Sequence, residues 1–369
     1  MYQNLSHHDN QFIVSIARTI DEVEEMRESW ESMQPYPIAN IDYFLTLLKF
    51  RKNVVKPYVI LITRNEIPEA IAVGRIENII KTLKLKNRII YLSKVKAIFF
   101  DIECLVGNLS IENSTIIITE AYKSLKKKEA DVVAFSEVST DSNVYKLSRA
   151  IPGFLFRDYF PKIQGHYKMT LPLSSNEFYK ARKKAKNLRR IKNRLHREFE
   201  GNIEVNCFRD LEDVDRLCRD AEKISRKTYQ FAAGDGIVNN VETRKKLSEL
   251  AKKGWFLAYI LYINNEPCAF EGGIYFDRTY YADYCGYNAE YRKYEIGTYL
   301  ELNIIETLCE DPECQYYDFG WMDTFHKNRY CDVVIEEASF HIYRPSLKGL
   351  FLNFNKVLFG IICMIGRLV

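Results

Sequence analysis

Cys268-Ala-Phe-Glu271-Gly-Gly-Ile-Tyr-Phe276, Asp277-Arg278-Thr279 and Tyr280-Tyr-Ala-Asp283-Tyr-Cys-Gly-Tyr287 read as strand, turn and strand. Asn288 to Ile296 then leads into Gly297-Thr-Tyr-Leu300, which opens a helical run to about Leu308. A last strand follows at Tyr316-Tyr-Asp318-Phe-Gly320-Trp-Met-Asp323. A glycine at a helix start leaves backbone N–H groups bare, and the helix dipole favours an anion beside them. The order suits an anionic cofactor held at the turn before Gly297.

Upstream, the same pattern occurs again. Phe12 to Ala17 is a strand followed by Arg18-Thr-Ile20-Asp21-Glu-Val23-Glu-Glu-Met26, and Asn202 to Phe208 is a strand followed by Arg209-Asp-Leu211-Glu-Asp-Val214-Asp-Arg-Leu217. Arg18 aligns with Arg209, Ile20 with Leu211, Val23 with Val214 and Met26 with Leu217, without a gap. Next, Tyr58 to Ile62, Asn65-Glu66, Pro68, Ala70 and Gly74 run parallel to Trp255 to Ile263, Asn265-Glu266, Pro267, Ala269 and Gly273, with a one-residue gap. Two matches in one order argue for duplicated α/β halves, each opening strand–helix and continuing into a hairpin. Glu271 then faces Ala72 in the alignment, so a carboxylate stands in only one half.

Between the halves, Ser174-Ser-Asn-Glu177 is a helix-start signature and Gly201 a stop. Phe178, Ala181, Ala185, Leu188, Ile191, Leu195 and Phe199 recur at steps of three and four, the stripe of one long helix. Its other faces carry Lys180, Arg182, Lys183, Lys184, Lys186, Arg189, Arg190, Lys192, Arg194 and Arg197. So many like charges either form a solvated face or await an anionic partner: a phosphorylated substrate, tRNA or an anionic membrane. These boundaries predict an N-terminal lobe over 12–170, a basic connecting helix over 174–201, a C-terminal lobe over 202–344 and an apolar tail over 345–369. The tail's uncharged run from Val357 to Gly366 is shorter than the about 20 residues of a spanning helix. It packs back on the domain, lies in a membrane interface or docks a partner.

Composition narrows the class without choosing a function. The 369 residues are 47% hydrophobic and 28% charged, which marks an ordinary globular protein and excludes a disordered one. A net charge of +4 is too small to indicate a nucleic-acid binder by itself. The nine Cys form no C-x-x-C pair and no zinc-finger spacing with His, so reduced cytoplasmic thiols and no metal are expected. The polar segment Met1 to Gln11 reads as neither signal peptide nor anchor. Asp318-Phe-Gly320 lacks the Gly-rich loop and catalytic-loop context of a kinase, and Asp318 reads instead as the cap of the following turn.

Three pieces in this order, Lys184-Ala-Lys-Asn187-Leu-Arg-Arg190, Tyr294-Glu-Ile-Gly297-Thr-Tyr-Leu300 and Tyr317-Asp-Phe-Gly320 with Asp323 and Lys327, resemble an acetyltransferase-like family. It is the family of the CelD/BcsL type, a relative of the FemABX peptidoglycan-bridge transferases within the GNAT fold. The resemblance covers roughly residues 12 to 343. Met322 and His326 depart from its last motif, and Arg292 to Gly297 lacks the second small residue of the usual GNAT pyrophosphate loop. The resemblance implies an α/β (α+β) protein of tandem GNAT-like lobes, each a mixed sheet flanked by helices. It implies transfer of an acyl group from acyl-CoA (acetyl-CoA) to an amino group of a saccharide or cell-envelope precursor.

Such chemistry needs a base for the amine and an N–H donor for the developing oxyanion, which a bulged strand can offer. Glu271, followed by Gly272-Gly273, is the first candidate base. Asp283 is the second, alternating with Tyr281 and Cys285 and so expected on their face. His326 and Tyr330, four apart on an expected helix, are candidate proton donors. Arg292, Ile296, Gly297 and Thr298 are the expected cofactor contacts. Asp323, Lys327, Arg189 and Arg190 are the expected substrate contacts. Two rivals stand beside this reading: a FemX-like transferase using aminoacyl-tRNA, and a non-enzymatic assembly protein of polysaccharide synthesis on the same fold.

Overall fold

The computed structural model describes residues 12–34, 36–85, 88–181, 185–228, 231, 236–321 and 330–365. The chain divides into two compact units, Met1–Gln164 with Glu336–Val369, and Gly165–Ile335. The first opens with β1 (Phe12–Ala17), α1 (Ile20–Glu25), α2 (Arg27–Ser32) and α3 (Ile41–Phe50), then β2 (Val54–Arg64), β3 (Ile67–Leu85) and β4 (Arg88–Gly107). α4 (Ile111–Lys126), β5 (Val132–Ser139) and α5 (Asn143–Ala150) follow. The second holds β6 (Lys162–Thr170), α6 (Ser175–Lys180), α7 (Ala185–Glu198), β7 (Ile203–Phe208), α8 (Val214–Ser225) and α9 (Val241–Lys252). It continues with β8 (Phe256–Ile263), β9 (Glu266–Phe276), β10 (Thr279–Tyr287), α10 (Ile296–Cys309) and β11 (Tyr316–Trp321). The chain then returns to the first unit through β12 (Val333–Tyr343) and α11 (Leu347–Ile365).

In the first unit the strands lie in the order β1-β2-β3-β4-β5-β12, and in the second β6-β11-β10-β9-β8-β7. Each set is mixed. β4 pairs parallel with β5 and β10 parallel with β11, while the other pairs are antiparallel. Every residue of β8 is buried, as expected of a strand covered by helices on both faces.

The duplication extends to single hydrogen bonds. Thr19 and Asp210 each close a capping box, with Glu22 and Asp213, at the aligned positions. β1 meets β2 from Phe12↔Arg64 to Ala17↔Val59, and β7 meets β8 in the same register from Ile203↔Ile263 to Phe208↔Ala258. The two hairpins turn on Asn65-Glu66 (φ 50° and 67°) and on Asn264-Asn265 (φ 53° and 63°), both left-handed as a two-residue hairpin turn requires. Both carry a bulge just before the turn, at Ile62/Thr63 and Leu261/Tyr262. The hairpins therefore align with no internal gap. Asn65-Glu66 matches Asn264-Asn265, one residue earlier than the sequence alignment places it.

Three sequence boundaries change. The expected single helix over 174–201 is two helices, α6 and α7, with residues 182–184 between them outside the described set. Ser174 caps the first by accepting from Glu177 N, and Gly201 ends the second at φ +80°. Both lie in the second unit, where Leu188, Ile191 and Leu195 are buried against α10. β12 pairs with β5, Phe340 stacking on Phe135 at 4.9 Å, so the second unit ends at Ile335 rather than 344. The apolar tail is the helix α11 of the first unit.

Candidate active site

In each unit the parallel strand pair stops short, β4 and β5 pairing from Ala97↔Val132 to Phe100↔Phe135. β10 and β11 pair only from Thr279↔Tyr316 to Tyr281↔Asp318. Beyond that point β10 bulges between Ala282 and Tyr284, and β11 is irregular between Asp318 and Gly320. The bulge has a local cause: a Cβ on Gly273 would stand 1.8 Å from the Tyr281 carbonyl oxygen, so only glycine admits that approach. Asp283 is the extra residue. It breaks the alternation, so Tyr281 lies opposite Ile274 on one face and Cys285 opposite Glu271 on the other. The expectation that Tyr281, Asp283 and Cys285 share a face is thereby corrected.

Glu271 is buried, 8% exposed, between Tyr259 on β8 and Cys285 on β10. It accepts a hydrogen bond from the Tyr317 hydroxyl. Tyr317 meets Tyr280 edge-on at 5.3 Å, and neither ring is exposed. Burial first, and then the Glu271 charge, push both phenols well above the ordinary tyrosine range, so both stay protonated. Asp283 is open to solvent, yet protein crowds it enough that burial raises its carboxyl, against a hydrogen bond with Tyr284 and the charge of Lys246.

The matching positions of the first unit show what this arrangement replaces. By register, Glu271, Tyr280 and Tyr317 correspond to Ala72, Ile98 and Val133, all fully buried and aliphatic. Ala282, opposite Gly273, corresponds to Phe100, opposite Gly74. Phe100 is fully buried and stacks on Phe135 at 4.8 Å, filling the space where the strands part. In the second unit that plug is a methyl group.

The helix starts differ in the same sense. α4 is capped by the Ser110 hydroxyl, which accepts from Asn113 N at 3.2 Å. α10 begins on Glu295, a left-handed residue (φ 57°) whose side chain caps nothing. Among the described residues no side chain caps its first amides, so they and the helix dipole can face an anion. Arg194 of α7 donates to Glu295 Oε1 at 3.0 Å, which holds a guanidinium beside that terminus. A Cβ on Gly297 would lie 3.3 Å from the Tyr287 ring, so the glycine lets the helix begin close against β10. Arg292 is exposed and Thr298 buried, while Ile296 is a core side chain that can offer only its backbone. These groups fit a phosphate-bearing cofactor.

Farther along α7, Arg189, Arg190, Asn193, Arg194 and Arg197 line an open groove of about 670 Å³. Arg189 lies over the Tyr179 ring at 5.1 Å, and Lys192 is tied to Glu306 at 2.5 Å. Tyr330 is fully buried in the core beside Phe319, their rings 6.2 Å apart. Asp323, His326 and Lys327 lie outside the described residues.

One residue escaped the sequence reading. His166 on β6 has Nε2 2.7 Å from Asp318 Oδ1, which also accepts from Gly320 N at 2.7 Å. The imidazole thus stands at the irregularity of β11, where the strands part. No motif surrounds it, and only the β6–β11 register brings it there. Among the described residues no group of three or more His, Cys, Asp or Glu is placed to hold a metal ion.

Residues 182–328 match the acetyltransferase (GNAT) domain family. No curated protein matches the chain. The fold is similar to that of FemX, at 12% identity and a TM-score of 0.56 over 90% of this chain and 97% of that one. It is also similar to the C-terminal domain of a putative lysylphosphatidylglycerol synthetase from Agrobacterium fabrum, at 10% identity and a TM-score of 0.52 over 91% and 97%. A tandem GNAT protein from the clavulanic acid biosynthesis pathway matches at 8% identity and a TM-score of 0.51 over 91% and 99%. The chain therefore has a tandem GNAT-like fold, and residues 182–328 of it carry the match to an acetyltransferase (GNAT) domain.

Proposed function

We propose that the second unit is an N-acyltransferase of the CelD/BcsL type, which moves an acyl group from acyl-CoA to an amino group of a saccharide or envelope precursor. One observation carries the reading: the polar set Glu271–Tyr317–Tyr280 and the small Ala282 occupy positions that the first unit fills with Ala72, Val133, Ile98 and Phe100. The first unit then serves as scaffold. The cofactor's phosphates would lie against the first amides of α10, near Arg194 and Arg292, with the thioester reaching the parting of β10 and β11.

The amine attacks the thioester carbonyl, the C–N bond forms, the C–S bond breaks, and CoA leaves as its thiol. Glu271 takes the proton of the attacking amine through a water, since its carboxylate is too buried for direct contact. Tyr317 holds that carboxylate in place. Backbone N–H groups at the Asp283 bulge are the donors for the carbonyl oxygen. His166 and Asp283 border the acceptor's side.

A thiol-release assay with acetyl-CoA and a panel of amino sugars tests this. Glu271→Gln should lower turnover about 100-fold or more, and unchanged turnover would remove the base assignment.

The arginine groove of α7 favours a second reading, an aminoacyl-tRNA donor. Charged tRNA should then bind with an affinity that falls steeply with salt, and Arg190→Glu with Arg197→Glu should flatten that slope. Binding that ignores salt would exclude it.

A further inference from the structure

We propose that α11 is a docking helix for an anionic lipid surface. The helix is built inside out. Three of its polar side chains face its own unit: Lys348 reaches Asp131 at 2.6 Å, Asn353 donates to the carbonyls of Leu155 and Arg157 at 2.9 Å each, and Lys356 is bound to Asp158, while Asn355 bonds back to the Phe351 carbonyl of the helix itself. Its apolar side chains face away. Phe351, Phe354, Leu358, Ile361 and Ile362 are 40–62% exposed, whereas Leu352 is buried against Val95, Val132 and Tyr343. In the turn that accepts Asn353's hydrogen bonds, Phe154 and Leu155 are 69% and 53% exposed and extend the patch.

Charge and width decide the occupant. No Asp or Glu occurs after Glu337, while Arg344, Lys348, Lys356 and Arg367 do. The two carboxylates that anchor the helix sit among one arginine and three lysines. Asp131 faces Arg344 and Lys348, and Asp158 faces Lys356 and, through His341, Lys81. The ground beneath the helix is therefore cationic. The exposed positions include Leu350 and Ile362 beside the 351/354/358/361 line, broader than the two-position seam of paired helices. A broad, aromatic, acid-free face over cationic ground fits a plane of anionic headgroups and acyl chains better than a second copy of the chain. Among the described residues no helix is long and apolar enough to cross a membrane, so the contact is interfacial.

The test is co-sedimentation of the full chain with vesicles of phosphatidylcholine alone and of phosphatidylcholine with phosphatidylglycerol. The chain should pellet with the second and release in high salt. Phe354→Asp combined with Ile361→Asp should weaken partitioning about tenfold or more. Ile111→Asp, an exposed position on α4, should pellet like the native chain, and all three proteins should share one thermal midpoint. A Trp placed at 354 should shift its emission to the blue on the anionic vesicles. Failure to pellet, or pelleting that survives the double substitution, would overturn the proposal. So would dimerisation without vesicle binding that the double substitution abolishes, which would assign the face to a second copy. Acyl transfer in solution is expected to be indifferent to these substitutions, so the two proposals fail separately.

Discussion

The Tyr317 hydroxyl donates its hydrogen bond to Glu271, and neither group has a polar counterpart in the first unit, where Val133 and Ala72 stand. This buried pair is the chemical difference between two halves that otherwise share strand register, capping boxes and hairpin bulges. Tyr317→Phe leaves the carboxylate without that donor, at a stability cost of about 1–3 kcal/mol. Turnover should fall about tenfold or more while the affinity for CoA holds, a split read from kcat against KM.

Ala282→Phe copies Phe100 of the first unit. The ring should fill the parting of β10 and β11 without disturbing the pairing from Thr279 to Tyr281. Loss of acetyl-CoA binding with an unchanged thermal midpoint is the expected outcome in titration calorimetry. Retained binding would place the donor elsewhere.

The bulge depends on one missing side chain. Gly273→Ala sets a methyl group 1.8 Å from the Tyr281 carbonyl and should cost about 3 kcal/mol or more, while removing activity. Gly272→Ala meets the Ala258 methyl at 2.9 Å and other atoms only from 3.7 Å outward, and should cost about 1–3 kcal/mol. Denaturant midpoints of the two variants give the contrast.

Acid should weaken the first unit through the cluster of Lys81, Asp158, His341 and Lys356. Burial foremost, with the charges of Lys81 and Lys356, pushes the His341 imidazole down to about 3. Burial works to raise Asp158, but the His341 hydrogen bond and the Lys356 charge overcome it and leave it at about 2. Lys81 is lowered by burial and by Lys356 to about 8. In all three the unfolded chain binds the proton first, so stability rises with pH across each window. The windows run from about pH 2 to 4 for Asp158, about 3 to 6.5 for His341 and about 8 to 10.5 for Lys81. Asp158→Asn leaves the cations unanswered and should cost about 3 kcal/mol at neutral pH. Thermal unfolding followed from pH 3 to 10 checks both the slope and the variant.

Local rules carried much of this into the sequence. The Ser174 helix start, the Gly201 stop and the Gly297 helix start are set within a few residues, so they were legible there. The repeat was legible too, although its gap slipped by one because Asn65-Glu66 and Asn265-Glu266 spell alike while the turn falls on Asn264-Asn265. The features that required tertiary contact were not legible. The Asp283 bulge depends on Gly273 meeting a carbonyl of the neighbouring strand, and His166 reaches Asp318 only through the β6–β11 register. The return of β12 to β5 rests on Phe340 stacking on Phe135, a pairing between segments far apart in the chain.

The proposed activity requires that acyl-CoA bind the second unit at the start of α10. Thermal denaturation of the whole chain, titrated with acetyl-CoA and in parallel with charged tRNA, tests it most directly. Binding there should raise the midpoint with acetyl-CoA concentration, roughly in step with its logarithm once the site is filled, and raise it less in Arg194→Glu. A midpoint that stays fixed at every acetyl-CoA concentration, or rises only with charged tRNA, would contradict it.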